Sequence, residues 1–271
     1  MNNKFYQVAA VTFLSVFTSI SNAENYNSEF TGSYISSDVD AEGQSSDLNT
    51  FGVLQKVYFS EVDTSVGPLG QAEFVSRTSS YSLGYSVIDD VNDTDTDITH
   101  AAVNLRHKDT GLTFALAYSF TDISSVGAIS DQTDIRIGKY VGETTEVSLE
   151  YSREKLKQLD SLIEDAWALS ISHVGTGDVG FAINGRFSMA DKINDDEQFG
   201  IAVSAAVYPT RNIGLGAGFD IALAEEDSDR IFAFTEWFFK PNMKVAATYY
   251  ISDQDNIDTN GFIIDLSYRL K

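Results

Sequence analysis

Hydrophobic and polar residues alternate along most of this chain with a period of two. Between residues 112 and 121, leucine, phenylalanine and tyrosine occupy every second position, and threonine, alanine and serine fill the positions between them. The pattern recurs at 147–151, 181–187, 245–251 and 262–270. Because successive side chains of a β-strand point to opposite faces, it predicts strands with one apolar face and one small, polar face.

Fourteen segments of this kind are predicted, each about 9 to 12 residues long, which is the length that crosses a bilayer core at a strand tilt near 45°. Their centres lie near residues 30, 54, 75, 103, 116, 137, 149, 169, 184, 203, 218, 234, 247 and 266. Helical spacing competes only at 153–168, where Leu156, Leu159 and Ile163 fall at helix-like intervals. A helix there is an alternative to a long loop between two strands.

Long and short connections alternate between the predicted strands. The long ones are acidic and cover residues 37–47, 86–97, 122–132, 153–165, 190–197, 224–229 and 252–259. The short ones contain the glycine, asparagine and proline that turns require, and lie at 108–111, 142–144, 175–178, 209–212 and 240–242. A connection of middle length, 60–68, completes the series. This alternation predicts an up-and-down order of strands with both termini at the same end.

A water-soluble β-sandwich would also alternate, but it would leave edge strands that need protection. Closing the sheet removes the edges and satisfies every backbone group, which is the condition for crossing lipid without helices. Several aromatic residues lie toward segment ends, as interfacial girdles do: Tyr34, Phe59, Tyr118, Tyr151, Trp167, Trp237, Phe239 and Tyr268. The predicted fold is an all-β, transmembrane, up-and-down antiparallel barrel of about 14 strands, with 12 or 16 as alternatives.

The start of the chain reads as a secretory signal peptide. Residues 5–20 are largely apolar and end in Ser21-Asn22-Ala23, which places small residues where a signal peptidase cuts. We therefore predict cleavage of residues 1–23 and a barrel domain of residues 24–271, with a retained anchor helix as the alternative. The barrel would lie in the bacterial outer membrane, with both termini in the periplasm and the long acidic loops outside.

Composition narrows the possible partners. The 271 residues contain no cysteine, which excludes a disulfide framework, and 40 acidic residues against 18 basic ones give a net charge of -22. Such a charge disfavours nucleic acid as a partner. Outer-membrane lipid and lipopolysaccharide, small polar solutes or ions, and other copies of the chain in a homo-oligomer remain the expected partners.

Residues 58–74, from Tyr58-Phe59 through Val62-Asp63-Thr64-Ser65 and Gly67-Pro68-Leu69 to Ala72-Glu73-Phe74, resemble a hairpin of the putative general porins of proteobacterial outer membranes. The resemblance implies an outer-membrane channel of 14 to 16 strands. The chain departs from that family at Glu61, where proline is expected, and at Gly70-Gln71 and Glu73, where alanine is more usual.

The polar faces of the predicted strands place charged side chains of both signs in the lumen. Opposite charges across a lumen create a transverse field that orients polar solutes, and their balance sets ion preference. The alternative is that they form ion pairs that brace or plug a narrow barrel. No connection looks long enough for a large inward constriction, so wall charges and residues 153–165 would set selectivity. The candidate pore-lining residues are Lys56, Arg77, Arg106, Arg136, Arg186, Arg269, Glu29, Glu73, Glu146, Glu150, Asp220, Glu236 and Asp265.

Two patterns suggest other chemistry, and we weigh both against a plainer interpretation. The run 89–97 alternates carboxylates, including Asp93, Asp95 and Asp97, but lacks the glycine and glutamate of a calcium-binding loop, so a solvated acidic loop is expected and no metal site is predicted. A hydrolase would need a serine, a histidine and an acid, for which His100 with Asp97 and Ser130 is the only arrangement near the outer rim. No barrel-hydrolase motif surrounds them, so neither catalytic residues nor a cofactor are predicted.

The sequence therefore predicts a porin that allows passive diffusion of small hydrophilic solutes or ions through a water-filled lumen. The alternative is a closed or plugged barrel that acts as a structural or adhesive surface protein.

Overall fold

The computed structural model describes residues 25–41, 44–90, 96–123, 128–156, 163–191, 197–223, 228–254 and 257–271. The predicted signal peptide lies outside these residues. The described chain forms fourteen strands: β1 Tyr26–Ala41, β2 Gln44–Val62, β3 Ser80–Asp90, β4 Thr96–Arg106, β5 Leu112–Ile123, β6 Ala128–Tyr140, β7 Thr145–Leu156, β8 Ile163–Gly175, β9 Gly180–Asp191, β10 Glu197–Thr210, β11 Ile213–Leu223, β12 Ser228–Lys240, β13 Met243–Gln254 and β14 Ile257–Leu270.

The strands close into a single antiparallel barrel. Each strand pairs with its neighbours in sequence, and β1 pairs with β14 from Ser28 opposite Leu270 to Ala41 opposite Ile257. The sheet therefore has no edge strand, and the ladder satisfies the strand backbone internally, as a membrane requires. The prediction of a fourteen-stranded up-and-down barrel is confirmed, and the sandwich alternative is wrong.

The two faces of the barrel differ as the alternation predicts. Large apolar side chains such as Leu116, Ile137 and Leu169 are exposed on the outer face. The residues between them face inward and are mostly serine, threonine, glycine, alanine or charged. An outer surface of this kind is suited to lipid, because a soluble monomer rarely exposes contiguous apolar area on such a scale.

Most of the predicted long loops are extended hairpins instead. For residues 37–47, Asp38 pairs with Asp47 and the ladder continues to Ala41 opposite Gln44. The connections at 86–97, 122–132, 153–165, 190–197, 224–229 and 252–259 are likewise shortened by the strands on either side of them. The helix considered at 153–168 is wrong, since β7 and β8 cover all the described residues in that range. Beyond the membrane both faces of a hairpin meet water, so its residues no longer alternate between apolar and polar. The backbone hydrogen bonds continue there, which is why the sequence pattern predicts loops where the structure has strands.

The strand predicted near residue 75 is also wrong. The connection between β2 and β3, residues 63–79, contains a 3-10 turn at Leu69–Gln71 and one short helix, α1, at Ala72–Ser76. It is the longest connection in the barrel. None of the described helices is long and apolar enough to cross a membrane.

A repeated aromatic position marks the outer face toward the loop end. In four hairpins a tyrosine hydroxyl donates diagonally across the strand pair to Asp or Asn, as Tyr118 does to Asp131 and Tyr151 to Asp165, both at 2.6 Å. The equivalent register position is aromatic in all seven loop-end hairpins: Tyr34, Tyr85, Tyr118, Tyr151, Phe187, Phe219 and Tyr249. Such a belt places seven aromatic rings, five of them amphipathic tyrosines, at one level of the barrel, as interfacial girdles do.

Candidate functional site

The connection at residues 63–79, called the inward segment below, enters the barrel through a tight turn. The Asp63 carboxylate accepts a hydrogen bond from the Ser65 backbone N–H at 2.8 Å. Hydrogen bonds from the Ser65 side chain and backbone hold the pKa of Asp63 below its ordinary value. Gly67 then adopts a φ of 73°, which favours glycine, and Pro68 leads into the helical turns. The hairpin that carries the family resemblance is therefore the entry to this segment.

Turns at the barrel rim fasten both ends of the inward segment. Arg211, in the turn between β10 and β11, donates from Nε to the Gly67 carbonyl at 3.0 Å and from Nη2 to the Thr64 carbonyl. At the other end Arg77 ends α1 in the left-handed conformation and donates to the carbonyls of Gly142 at 2.6 Å and Glu143 at 3.0 Å.

An ion-pair cluster holds α1 against two strands. The Glu73 carboxylate accepts from Lys56 on β2 and from Arg106 on β4, the latter at 2.6 Å, and the Tyr58 hydroxyl donates to it at 3.2 Å. Burial raises the pKa of Glu73, but the Lys56 and Arg106 cations outweigh it and hold the pKa below its ordinary value. Glu73 therefore stays ionised at neutral pH and links two walls of the barrel.

Arg269 on β14 fixes the 3-10 turn from another side. Its guanidinium pairs with Glu29 on β1 at 2.6 Å, and it donates to the Leu69 carbonyl at 3.2 Å. The guanidinium also lies over the rings of Tyr26 and Phe238, at 4.3 and 4.5 Å from their centroids. A buried arginine with this many partners positions backbone accurately, because its donors have a fixed geometry.

Apolar side chains complete the contact on the remaining walls. Phe74 and Val75 pack against a buried cluster from β8, β9 and β10. Tyr140 on β6 donates from its hydroxyl to the Phe74 carbonyl at 2.9 Å, and Gln71 donates to the Tyr208 hydroxyl at 3.0 Å. The members of the cluster are Val174, Ala182, Ala206 and Tyr208.

These contacts reach strands on every side of the barrel, so the inward segment crosses the lumen at the turn end. Gly70 fits closely against β12, where a Cβ atom would overlap the Glu236 carboxylate. The expectation that no connection is long enough to constrict the lumen is wrong. The sequence does carry a signal for this, because Gly70-Gln71 and Glu73 are the residues at which the chain departs from the porin-like hairpin.

Beyond the inward segment lies a cavity of about 360 Å³. Phe74 and Arg106 contribute to it from the turn end. Within it Arg186 Nε lies 3.1 Å from Glu150 Oε2, and Ser170 donates to the same carboxylate at 2.8 Å. Its wall includes Arg136, Glu146, Ser148, Glu150, Ser170, Ser172, Asn184, Arg186, Ser204, Asp220, Arg230 and Phe232. The cavity wall therefore combines apolar surface with polar side chains and charges of both signs.

Eleven of the thirteen candidate pore-lining residues lie on strands at inward-facing positions. They are Lys56, Arg106, Arg136, Arg186, Arg269, Glu29, Glu146, Glu150, Asp220, Glu236 and Asp265. Glu73 lies inside the barrel on α1 rather than on a strand. Arg77 does not line the lumen, because it sits at the exposed rim and binds turn carbonyls. Arg230 also lines the cavity but is not among the candidates. It follows directly on the acidic run that the sequence pattern assigns to a loop, so the pattern does not place it on a strand.

The two other candidate chemistries are not assembled among the residues that the structure describes. Asp93 and Asp95 lie outside the described residues, and Asp97 accepts a hydrogen bond from Tyr85 on the outer face. No group of three metal-ligating side chains occurs among the described residues. His100 contacts Ser119 at 3.0 Å, while Ser130 donates to Glu154 at 2.7 Å, so the triad considered from sequence does not form.

Comparison with known proteins supports the architecture. A closed antiparallel barrel of fourteen strands is the fold of outer-membrane proteins. The structure is similar to Omp33 of Acinetobacter baumannii, with a TM-score of 0.62 and 20% identity over 91% of this chain and 99% of that one. It is also similar to a bacterial polysaccharide outer membrane secretin, with a TM-score of 0.53 and 10% identity over 91% and 99% of the two chains. No protein-family model and no curated protein match the sequence.

Proposed function

We propose that the chain is an outer-membrane channel for small hydrophilic solutes or ions, in which the inward segment is a plug that limits passage. The observation that carries this proposal is the contrast between the lipid-compatible exterior and the polar, charged cavity inside. A barrel whose inward charges served only as braces would fill its lumen with ion pairs, whereas a cavity of about 360 Å³ remains here. The mechanism is diffusion through the lumen, with no covalent step.

The attachments of the plug favour a removable closure. Hydrogen bonds and ion pairs that involve Arg211, Arg77, Arg269 and Glu73 fasten it. Its apolar contacts are limited to two small clusters: Ala72 packs with Tyr26, Tyr58 and Val62, and Phe74 and Val75 pack against the cluster from β8, β9 and β10. Polar contacts of this kind exchange for water at low net cost, whereas a large apolar core does not. Displacement of residues 63–79 would therefore open the lumen without unfolding the barrel.

Planar-bilayer recording on the purified protein tests the proposal. A variant that replaces residues 64–78 with a short glycine–serine linker should conduct steadily, whereas the native chain should conduct little or intermittently. Asp109→Gly with Thr110→Gly, in the turn between β4 and β5, is the matched control and should behave as the native chain does. If the variant without the plug folds but stays silent, the channel proposal fails and the alternative of a closed structural or adhesive barrel is favoured.

A further inference from the structure

One wall of the cavity is flat and aromatic. Phe232 and Phe234 face inward on β12, and the inward positions beside them on β11 are Gly218 and Gly216. A Cβ atom at either glycine would overlap the adjacent phenylalanine ring. The glycines therefore let the rings lie along the wall instead of projecting into the lumen, an arrangement known from aromatic side chains that cover glycines in sheets.

The two rings form a continuous surface that extends toward the loop end. Their centroids are 6.3 Å apart and their planes differ by 27°. The Arg230 guanidinium lies above the rings of Phe232 and Tyr250, at 5.7 and 4.8 Å from their centroids. Phe234 packs against the same buried cluster as Phe74 at the turn end. The accessible part of this surface is therefore Phe232, which lines the cavity and is half-buried.

The charges opposite and beside this surface have no common sign. The arc from β6 to β12 carries guanidinium groups and carboxylates in alternation: Arg136, Glu150, Arg186, Asp220 and Arg230. Selection of a solute by net charge would require an excess of one sign. Alternating donors and acceptors next to serine hydroxyls instead suit a neutral solute that has many hydroxyl groups.

We propose that this cavity binds neutral saccharides. The C–H face of a sugar ring packs on Phe232, and its hydroxyl groups exchange hydrogen bonds with Glu150, Arg186 and Asp220. Charged groups hold such hydroxyls more strongly than neutral partners do. The cavity of about 360 Å³ is at the small end of ligand pockets, roughly 300–1,000 Å³, which suits a mono- or disaccharide. The inference rests on the proposed function, because it assigns a solute class to the same lumen.

Isothermal titration of the detergent-solubilised, full-length protein with maltose tests this inference. We expect weak, saturable binding, which Phe232→Ala weakens about tenfold, equivalent to about 1.4 kcal/mol, and which Phe232→Trp retains. Phe187→Ala, on the outer face, is the matched control and should bind as the native protein does. Circular dichroism of each variant verifies that the barrel has folded.

Three results would overturn the inference: no maltose binding by the folded native protein, unchanged binding by Phe232→Ala, or preferential binding of the zwitterion glycine betaine. The titration does not depend on conductance. A conducting channel that ignores maltose therefore contradicts only the saccharide assignment, and a silent barrel that binds maltose contradicts only the channel proposal.

Discussion

Single residues determine how closely the inward segment fits the lumen, and Gly70 shows this most directly. Its Cα faces the Glu236 carboxylate on β12 with no room for a Cβ atom between them. Glu236 Oε1 is buried and has no hydrogen-bond partner among the described residues. A buried carboxylate oxygen without a partner is costly, so this contact is a weak point in the attachment of the plug.

Gly70→Ala should loosen the plug and raise the open probability of the channel several-fold in planar bilayers, because the new methyl group displaces the carboxylate. Combining it with Glu236→Ala should restore the native behaviour by removing the group that clashes. Gly177→Ala, in a turn with space for a Cβ atom, is the control and should change nothing. A double variant that opens further than Gly70→Ala would contradict this account of the fit.

The hydrogen bonds of the tyrosines in the outer belt should contribute to the stability of the barrel. Tyr151→Phe removes the bond to Asp165 and should lower the free energy of unfolding in micelles by about 1 kcal/mol. Tyr249 occupies the equivalent position in the last hairpin and has no such bond among the described residues, so Tyr249→Phe is the matched control. Equal losses in the two variants would show that the hydroxyl–carboxylate bond contributes nothing.

Among the structural elements, the inward segment is one for which the period-two pattern predicts the wrong secondary structure. The sequence pattern predicts a strand at Glu73, Phe74 and Val75, yet these residues lie on α1. There Glu73 meets Lys56 and Arg106 from distant parts of the chain. A stretch this short has little conformational preference of its own, so tertiary contacts determine its structure. The Asp63–Ser65 turn, by contrast, was predictable, because it depends on neighbouring residues alone.

Glu73→Gln should open the channel at neutral pH, because it leaves Lys56 and Arg106 facing each other without a carboxylate between them. The measurement is single-channel open probability. Asp265→Asn is the control, since Asp265 bonds to Ser33 on the barrel wall and does not contact the inward segment. Native gating in Glu73→Gln would show that the other attachments of the segment, such as those of Arg211, Arg77 and Arg269, hold the plug without this ion-pair cluster.

Acid should release the plug in the native chain. The pKa of Glu73 is lower in the folded protein than its ordinary value of 4.5. Its contribution is therefore complete above that value and is lost as pH falls through the depressed pKa. We expect the open probability to rise below about pH 4.5 and to rise less in Glu73→Gln. An equal pH response in both proteins would contradict the assignment of this response to Glu73.

The topology of the whole molecule follows from its sequence pattern, whereas the contents of the lumen do not. Strands with alternating faces, joined by connections of alternating length, predict an up-and-down barrel. Such a barrel requires the first and last strands to pair, and β1 does pair with β14. Occupation of the lumen depends on contacts such as Arg269 with Leu69, which join residues far apart in the chain. No local pattern encodes such a contact.

The charge of the whole molecule should determine which ions the channel prefers. Acidic residues outnumber basic ones by 40 to 18. Apart from the groups that pair at the plug, the inward-facing charges named above are five carboxylates and three guanidinium groups: Glu146, Glu150, Asp220, Glu236 and Asp265 against Arg136, Arg186 and Arg230. The channel should therefore prefer cations, and the preference should weaken with salt, since the Debye length falls from about 30 Å at 0.01 M to about 3 Å at 1 M. Reversal potentials across a potassium chloride gradient measure it. Arg136→Gln removes a cation from the cavity and should strengthen the preference, whereas Asp97→Asn, on the outer face, should have little effect. A reversal potential at low salt with the sign of an anion-selective channel would contradict this prediction. It would show that the arginines of the cavity determine selectivity in spite of the excess of acidic residues.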